Sequence, residues 1–426
     1  MKFLEKAPLS LSFWIFWSGQ LLSSLGSELT RFAIPIWVFK ETDNNVYLSL
    51  LVAAAFAPKV LFGLFGGALV DILPRRRLLW LSEGGQTIGT LCYIPLAFRP
   101  IDEVTVGLLI CLQLINGCFG TMSYAGMSAV TRDMVAPDSL TRANGMMVFI
   151  ESTVSLAGPI LGGLMITSLG LPTIFIADGV SFVFGLVSLL AVVAPVANSE
   201  AAKKGVTFKA CWDKLKEGVV LILSMPGLAP LLVVSSFTNF IFSLSFTLLT
   251  PYVLTVTGNA EATGRVFAVG GLAQAASALF LGFVPSPKSL VRAELIGILI
   301  MGLFGPLLIG AVPNAWGIAA GYFFTMLIIP TLNTFNRSAW QRAVPPEFQG
   351  RTAAGKRSIS GALALGGTCI AGTLVNDVFT PLLGSPKAGY QGAFIAAGAT
   401  LSIIAALCLV SPGIRGLDLR TKSQKS

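Results

Sequence analysis

The sequence predicts an all-helical integral membrane protein whose twelve transmembrane helices form two pseudo-symmetric bundles of six. Three observations indicate this fold class. The 426 residues are 54% hydrophobic and only 12% charged, which is about half the charged fraction of a soluble domain. Long apolar runs recur along the chain, each long enough to cross a hydrocarbon layer of about 30 Å. Lysine and arginine residues concentrate in alternate loops between these runs, as they do in multi-span proteins.

The apolar runs divide evenly between the two halves of the chain. A spanning helix needs about 20 mainly apolar residues. In the first half the runs cover approximately 11–38, 48–70, 78–98, 104–130, 143–168 and 172–195. In the second half they cover approximately 228–256, 264–284, 291–311, 315–336, 353–380 and 390–411.

The longest polar interval separates the two sets of runs and contains five lysines. We therefore predict an N-terminal six-helix bundle over 1–197, a cytoplasmic linker over 198–218, and a C-terminal six-helix bundle with a cytoplasmic tail over 219–426. The lysines of this interval would equally suit a segment that rests on anionic lipid headgroups.

The basic residues also predict the orientation of the spans. With twelve spans both termini share a side, and 23 of the 29 Lys and Arg residues fall on that side. The opposite side has only Lys40, Arg99, Arg265 and Lys387. Because cytoplasmic loops accumulate basic residues, both termini are predicted to be cytoplasmic, in a cell (inner) membrane. This distribution explains the net charge of +9 without a nucleic-acid partner.

The composition excludes several kinds of chemistry. The chain has no histidine, which excludes His-based general bases, nucleophile pairs and metal sites. No CxxC pair occurs, and five of the six cysteines lie in apolar runs, so neither a disulfide framework nor a metal site is expected. Residues 350–357 approach the phosphate-loop pattern, but Arg357 replaces its final Ser or Thr. We expect no cofactor, no nucleotide partner and no enzymatic activity.

A weak internal repeat relates the two halves. Residues 137–142, before the fifth run, resemble residues 346–351, before the eleventh, with a proline first and an arginine last in each. The same spacing carries Gly158 onto Gly367. Repeated halves with a substrate site between them are the arrangement that alternating-access transport requires.

The loop between the second and third runs carries the most specific motif. Residues 67–77 read Gly-Ala-Leu-Val-Asp-Ile-Leu-Pro-Arg-Arg-Arg. They resemble the signature loop of the major facilitator superfamily, Gly-x-Leu-x-Asp-Arg-x-Gly-Arg-Arg/Lys-Arg/Lys. The matching residues are Gly67, Leu69, Asp71, Arg75, Arg76 and Arg77. Ile72 and Pro74 depart from the pattern.

The resemblance implies a conformational latch in this loop. In the superfamily the signature Asp is understood to interact with the start of the eleventh span, and a carboxylate near a helix N-terminus gains about 0.3–1 kcal/mol. We therefore predict a cytoplasmic latch that favours one access state, formed by Gly67, Asp71, Arg75, Arg76 and Arg77. The alternative is that the loop only sets topology.

A second motif resembles one found in the exporters of the superfamily. Residues 158–163 read Gly-Pro-Ile-Leu-Gly-Gly, similar to the exporters' Gly-Pro-x-x-Gly-Gly element. Pro159 permits a bend, and Gly158, Gly162 and Gly163 would allow close packing against the other half. Residues 142–144, and residues 344–347 with Gly350 and Arg351, resemble the branch of macrolide-efflux and enterobactin-exporter-like proteins.

This resemblance implies proton-coupled export of a small amphipathic compound by alternating access, such as a drug, a siderophore or a secondary metabolite. Gln113 stands about where many drug–proton antiporters carry an arginine. The alternatives are uptake, movement of a lysolipid, and a transporter-derived membrane sensor without transport. We expect a monomer whose partners are the small-molecule substrate, protons and the lipid bilayer.

Ionisable side chains at membrane depth are costly and are therefore candidates for function. Glu28 and Arg31 are three residues apart on one helical face, where opposite charges can pair. Glu151 has no base among its helical neighbours, so burial would favour its protonated form. We predict Glu28 or Glu151 as the proton-coupling residue, with Arg31 and Lys59 as charge partners. The alternative is a static ion network, and Asp178 is expected to make a structural hydrogen bond.

The second half shows no comparable charges at depth. It offers amide and aromatic side chains instead, and a partly apolar site with a few polar groups suits an amphipathic substrate. The candidates for the substrate cavity are Asn239, Phe240 and Asn333. The alternative is that the phenylalanines of this half face lipid.

Overall fold

A computed structural model describes residues 9–61, 75–136, 139–192, 208–224, 228–281, 287, 289–345 and 348–410. These residues are almost entirely helical and include no β-strand. Eight helical segments of this described part are long and apolar enough to cross a membrane. A helix overlaps each of the twelve predicted apolar runs, which confirms the predicted fold class.

The first half of the chain contributes six helices. They are α1 (Leu11–Thr42), α2 (Asn45–Leu61), α3 (Arg75–Leu96), α4 (Glu103–Met134), α5 (Leu140–Ser168) and α6 (Leu171–Ser188). Side-chain caps fix two of their starts, because Ser10 accepts a hydrogen bond from the Phe13 amide and Asp102 accepts one from the Thr105 amide. A single 3-10 turn, Leu189–Ala191, extends α6.

The second half begins with α7 (Phe208–Ser224), which starts inside the predicted linker. The helices that follow are α8 (Leu228–Thr257), α9 (Ala260–Leu281), α10 (Leu290–Phe304), α11 (Pro306–Ala311), α12 (Ala315–Ala343), α13 (Gln349–Thr373), α14 (Thr380–Leu383) and α15 (Pro386–Val410). The ninth span is divided into α10 and α11 because Pro306 has no amide hydrogen to continue the helix. A π-helical segment, Leu374–Phe379, joins α13 to α14.

The chain forms two compact units. The first consists of Met1–Asp43 and Leu51–Cys211, and the second of Asn44–Leu50 and Trp212–Ser426. The start of α2 therefore belongs to the second unit, where the Asn45 amide donates to Asn376 Oδ1 at 2.7 Å and Tyr390 donates to Asn45. The division along the chain falls inside α7.

Helix α1 is central to the first unit, because it packs against both α5 and α6. Helix α3 packs against α4 and α6. Small residues permit the closest of these approaches. At Gly26 of α1, an added methyl group would lie 2.1 Å from Ser181 Oγ and 2.8 Å from Asp178 Oδ1, both on α6. The α1–α6 contact therefore requires a residue without a side chain at this position.

The second unit has a continuous apolar core. Helix α8 packs against α13, α9 against α12, and α10 against both α12 and α15. The core includes Ile298 and Met301 of α10, Trp340 of α12 and Leu401 of α15, all less than a tenth exposed. The apolar core thus joins α10, α12 and α15, which belong to the ninth, tenth and twelfth predicted spans.

We expect Gly26→Ala to lower the melting temperature of the purified protein in detergent, because the added methyl group would collide with Ser181. Overpacking of this kind costs about 1–3 kcal/mol. Gly107→Ala in α4 is the matched control, because a methyl group there meets nothing within 4 Å. Equal melting temperatures for the two variants would contradict the close α1–α6 contact.

Candidate functional site

Glu28 and Arg31 of α1 form an ion pair, with 2.8 Å between Glu28 Oε2 and Arg31 Nη1. The pair is not enclosed by protein. The Glu28 side chain is 22% exposed and the Arg31 side chain is 59% exposed. Both members of the pair therefore reach the surface of the protein.

The glycines of the exporter-like motif lie against this ion pair. A methyl group on Gly158 of α5 would lie 2.5 Å from Glu28 Cγ, and one on Gly162 would lie 2.8 Å from Phe32 Cδ1. Pro159 and Gly163 are also buried. The close approach that Gly158 and Gly162 permit is to α1 of their own unit, whereas the sequence had suggested the other half.

A buried carboxylate that the sequence analysis did not single out lies on α3. Glu83 is 2% exposed. Ser23 Oγ of α1 donates to its Oε2 at 2.9 Å, and Ser123 Oγ of α4 donates to its Oε1 at 2.8 Å. Three helices therefore meet around this one side chain.

A second buried carboxylate lies on α6. Asp178 is 1% exposed. Its Oδ2 accepts hydrogen bonds from Thr30 Oγ1 of α1 at 2.7 Å and from Thr90 Oγ1 of α3 at 3.1 Å. The hydrogen bonding expected for Asp178 is therefore present. No described donor reaches its Oδ1.

Glu83 and Asp178 share a hydrogen-bonding chemistry. Each accepts from two hydroxyl groups, and neither forms an ion pair with a basic side chain in the described part of the chain. A serine or threonine hydroxyl can donate to a carboxylate and, after rotation, accept from a carboxylic acid. The surroundings of both groups therefore accommodate either protonation state. We call these two carboxylates and their four hydroxyl partners the hydroxyl-lined acid site.

The latch prediction is tested by the structure only in part. Gly67 and Asp71 lie outside the described residues. Arg75 pairs with Asp133 at the end of α4, within its own unit, and its Nη1 also lies 3.5 Å from the Ala129 carbonyl oxygen. Arg76 and Arg77 are exposed. Asp133 could not be identified from the sequence, because it lies 58 residues further along the chain and gives no local signal.

The remaining proton-coupling candidate, Glu151, and the predicted charge partner Lys59 are both exposed. Glu151 is exposed on α5, so protein burial does not desolvate it as the sequence had suggested. Lys59 is exposed near the end of the described part of α2. Neither forms an ion pair with a described side chain. Their roles in coupling stay predictions.

The predicted cavity residues of the second unit lie on two helices. Asn239 of α8 is exposed, and its amide donates to the Ser235 carbonyl at 2.8 Å. Phe240 stacks on Phe237 with 5.7 Å between ring centroids. Asn333 of α12 is exposed. All three side chains are at least partly accessible, as contact with a substrate would require.

The second unit contains a buried charged residue that the sequence did not indicate. Glu294 of α10 is 3% exposed and is linked through Asn336 of α12 to Lys356 of α13. Glu294 and Lys356 each lie near the start of an apolar run. Counted along its own helix, each residue is therefore near the end of a predicted span. The neighbouring helices bury them nevertheless. Among the described residues no group of three or more Cys, Asp or Glu side chains comes together to hold a metal.

Sequence comparison identifies the family to which the chain is similar. The family model of the Major Facilitator Superfamily matches residues 16–364. Macrolide efflux protein A of Streptococcus pyogenes is 22% identical over 96% of this chain and 98% of that protein. Multidrug efflux pump Tap of Mycolicibacterium fortuitum is 23% identical over 94% of this chain and 96% of that protein. The resemblance to the macrolide-efflux branch is thus confirmed.

Solved structures show the same fold. A crystal structure of peptide transporter POT in complex with sulfate has a TM-score of 0.70 at 15% identity, covering 96% of this chain and 94% of that one. A bacterial homologue of the iron transporter ferroportin, in an inward-facing state, has a TM-score of 0.68 at 17% identity, covering 94% of this chain and 100% of that one. At these identities the similarity concerns the fold alone.

We expect Arg75 and Asp133 to be energetically coupled in a double-mutant cycle of Arg75→Gln and Asp133→Asn. The pair is partly buried, with side chains 26% and 15% exposed, so its coupling energy should exceed about 1 kcal/mol in reversible unfolding in mixed micelles. The control pair is Arg265 and Glu261, whose side chains are 75% and 34% exposed. Exposed pairs contribute about 0.2–1 kcal/mol, and a smaller coupling for Arg75 than for Arg265 would contradict the assignment.

Proposed function

The chain belongs to the major facilitator superfamily of multi-pass membrane transporters, and from that premise we propose that it exports a small amphipathic compound in exchange for protons. Two relatives matched along nearly their whole length are named as efflux proteins. A third, the Staphyloferrin A transporter of Staphylococcus aureus, matches 39% of this chain at 23% identity. These names support export of a drug, a siderophore or a secondary metabolite.

The observation that carries proton coupling is the hydroxyl-lined acid site of the first unit. A carboxylate locked in a salt bridge would stay ionised, and one without partners would be costly to bury. Glu83 and Asp178 avoid both situations, because hydroxyl groups can serve the ionised and the neutral form alike. Binding and release of a proton there needs only rotation of hydroxyl groups.

Glu28 and Glu151 remain proposed proton carriers in addition to the hydroxyl-lined acid site, with Arg31 and Lys59 as their charge partners. Glu28 has the stronger structural support. It lies against Gly158, next to Pro159, so a bend of α5 at the proline would change the surroundings of the Glu28–Arg31 pair directly. Glu151 contributes an exposed carboxylate on α5, the helix of Gly158 and Pro159.

The remaining proposals concern placement and partners. We propose that both termini are cytoplasmic, that the protein acts as a monomer with two six-helix halves, and that protons are its coupling ion. Asn239, Phe240 and Asn333 are proposed to contact the substrate, because an aromatic ring with nearby amides suits an amphipathic molecule. The cytoplasmic latch of Gly67, Asp71 and Arg75–Arg77 is proposed to favour one access state.

We expect proteoliposomes containing the protein to expel a fluorescent amphipathic dye when a proton gradient is imposed, with proton flux in the opposite direction. Asp178→Asn and Glu83→Gln should each lower the gradient-driven rate at least tenfold while dye exchange without a gradient continues, because an amide cannot bind the proton. Glu28→Gln and Glu151→Gln, assayed in parallel, test the other two carboxylates.

The control for this experiment is Glu261→Gln, which removes a partly exposed carboxylate in the second unit. The melting temperature of every variant separates loss of coupling from loss of fold. Dye accumulation in place of expulsion would contradict export, and full gradient-driven transport by both Asp178→Asn and Glu83→Gln would overturn the role of the hydroxyl-lined acid site.

We expect Asp71→Asn to change the transport rate while membrane insertion and abundance stay normal, since a neutral side chain loses the attraction to a helix N-terminus. Transport and surface labelling in cells are the measurements, and Asp43→Asn, in the loop between α1 and α2, is the control. Wild-type transport by Asp71→Asn would remove the latch and leave the loop with a role in topology alone.

A further inference from the structure

A chain of one carboxylate, one amide and one ammonium group runs through the second unit. Asn336 Nδ2 of α12 donates to Glu294 Oε1 of α10 at 2.7 Å. Lys356 Nζ of α13 donates to Asn336 Oδ1. Glu294 is 3% exposed and Asn336 is 9% exposed. We call this arrangement the Glu294–Lys356 relay.

The relay differs from an ordinary buried salt bridge, because the amide stands between the two charges. Lys356 forms no direct ion pair with a described carboxylate. Its Nζ lies 4.8 Å from the centroid of the Trp340 ring, where a cation is attracted by the π-face. The ammonium group is therefore held by Asn336 and Trp340 and does not depend on contact with Glu294.

One carboxylate oxygen of Glu294 receives no hydrogen bond from the part of the chain that the structure describes. Asn336 occupies Oε1, whereas no donor from the described residues reaches Oε2, which is buried. A buried acceptor left without a donor is costly, most of all when it carries charge. The free oxygen is a position at which a proton can bind without displacing an existing hydrogen bond.

Most charged side chains that the structure describes on the helices around Glu294 are exposed. Four of the five arginines on the three relay helices, Arg292, Arg337, Arg342 and Arg357, are exposed, and the fifth is Arg351 near the start of α13. Helix α15, packed against α10, contributes apolar side chains to this core together with the partly buried thiol of Cys408. Helix α7 contributes the buried Ile222, while its Lys216 and Glu217 are exposed. Helix α8 contributes apolar residues to the same core, and its buried Ser236 forms a hydrogen bond with Ser360 of α13 at 2.7 Å. Among the described residues, Lys356 is thus the charged group that is linked to Glu294 by hydrogen bonds, through Asn336.

We propose that Glu294 is a second proton-binding residue of the transport cycle, located in the second unit, with Lys356 as the positioning charge held across Asn336. A hydronium ion transfers the proton to Oε2, so that one O–H bond forms on the carboxylate, one O–H bond of hydronium breaks, and a water molecule is released. The net charge of the relay then changes from zero to plus one. This inference rests on the proposed proton-coupled export and adds that both units bind protons during the cycle.

The test uses the full-length protein in proteoliposomes, with a fluorescent amphipathic dye as substrate and a pH indicator enclosed in the vesicles. Glu294→Gln keeps an oxygen that can accept from Asn336 but cannot bind a proton. It should transport dye with fewer protons per dye molecule than the wild type and with a flatter pH profile. Glu261→Gln is the matched control and should keep both wild-type values.

Lys356→Met tests the same assignment without altering the carboxylate. Removal of the positive charge should make Glu294 easier to protonate, so the midpoint of the pH profile should move to higher pH. A purely structural role for Lys356 would lower the melting temperature and leave that midpoint in place. The second measurement therefore remains decisive if Glu294→Gln fails to fold.

The outcomes separate this inference from the proposed function. Wild-type protein that moves dye without any proton flux overturns both. Proton-driven transport by the wild type, with an unchanged proton-to-dye ratio in Glu294→Gln or an unchanged midpoint in Lys356→Met, overturns the second proton site alone.

Discussion

The structure depends on one constraint, which is that a polar group inside a membrane-spanning bundle must find its partner within the protein. Helical backbone satisfies its own amides and carbonyls, so the constraint falls on side chains. Glu83 and Asp178 meet it with hydroxyl groups from neighbouring helices, and Glu294 meets it with one amide. These hydrogen bonds connect α1, α3, α4 and α6 in the first unit and α10, α12 and α13 in the second.

The two units satisfy that constraint with different chemistry. In the first unit, Ser23 and Thr30 lie seven residues apart on α1, so one face of a single helix serves both buried carboxylates. Gly26 lies between them and lets α6 bring Asp178 close to α1. In the second unit a carboxylate and an ammonium group are joined through Asn336. Protonation would raise the net charge by one in either unit, from minus one to zero at each hydroxyl-bonded carboxylate and from zero to plus one at the relay.

Helix α5 packs closely against the charged Glu28 of α1. Gly158 brings this helix against Glu28, and Pro159 follows at the point where the helix can bend. A motif that resembles the exporters' element is thus in direct contact with the most accessible ion pair of the first unit. In a transporter of the major facilitator superfamily, a bend of α5 at Pro159 would therefore change how far the Glu28 side chain is exposed.

The sequence by itself determined the helical class, the spans and the family, because apolar length, basic loops and the motif of residues 67–77 are local properties. It also determined the Glu28–Arg31 pair, whose members are three residues apart on one helix. Only the tertiary structure decided the partners of the buried acids. Thr30 and Asp178 are 148 residues apart, and Asn336 and Glu294 are 42 apart. Depth counted along one helix cannot show which face a neighbouring helix covers, so Glu83 and Glu294 were missed and Glu151 was expected to be buried. Burial and pairing are properties of packed helices, and no single helix encodes them.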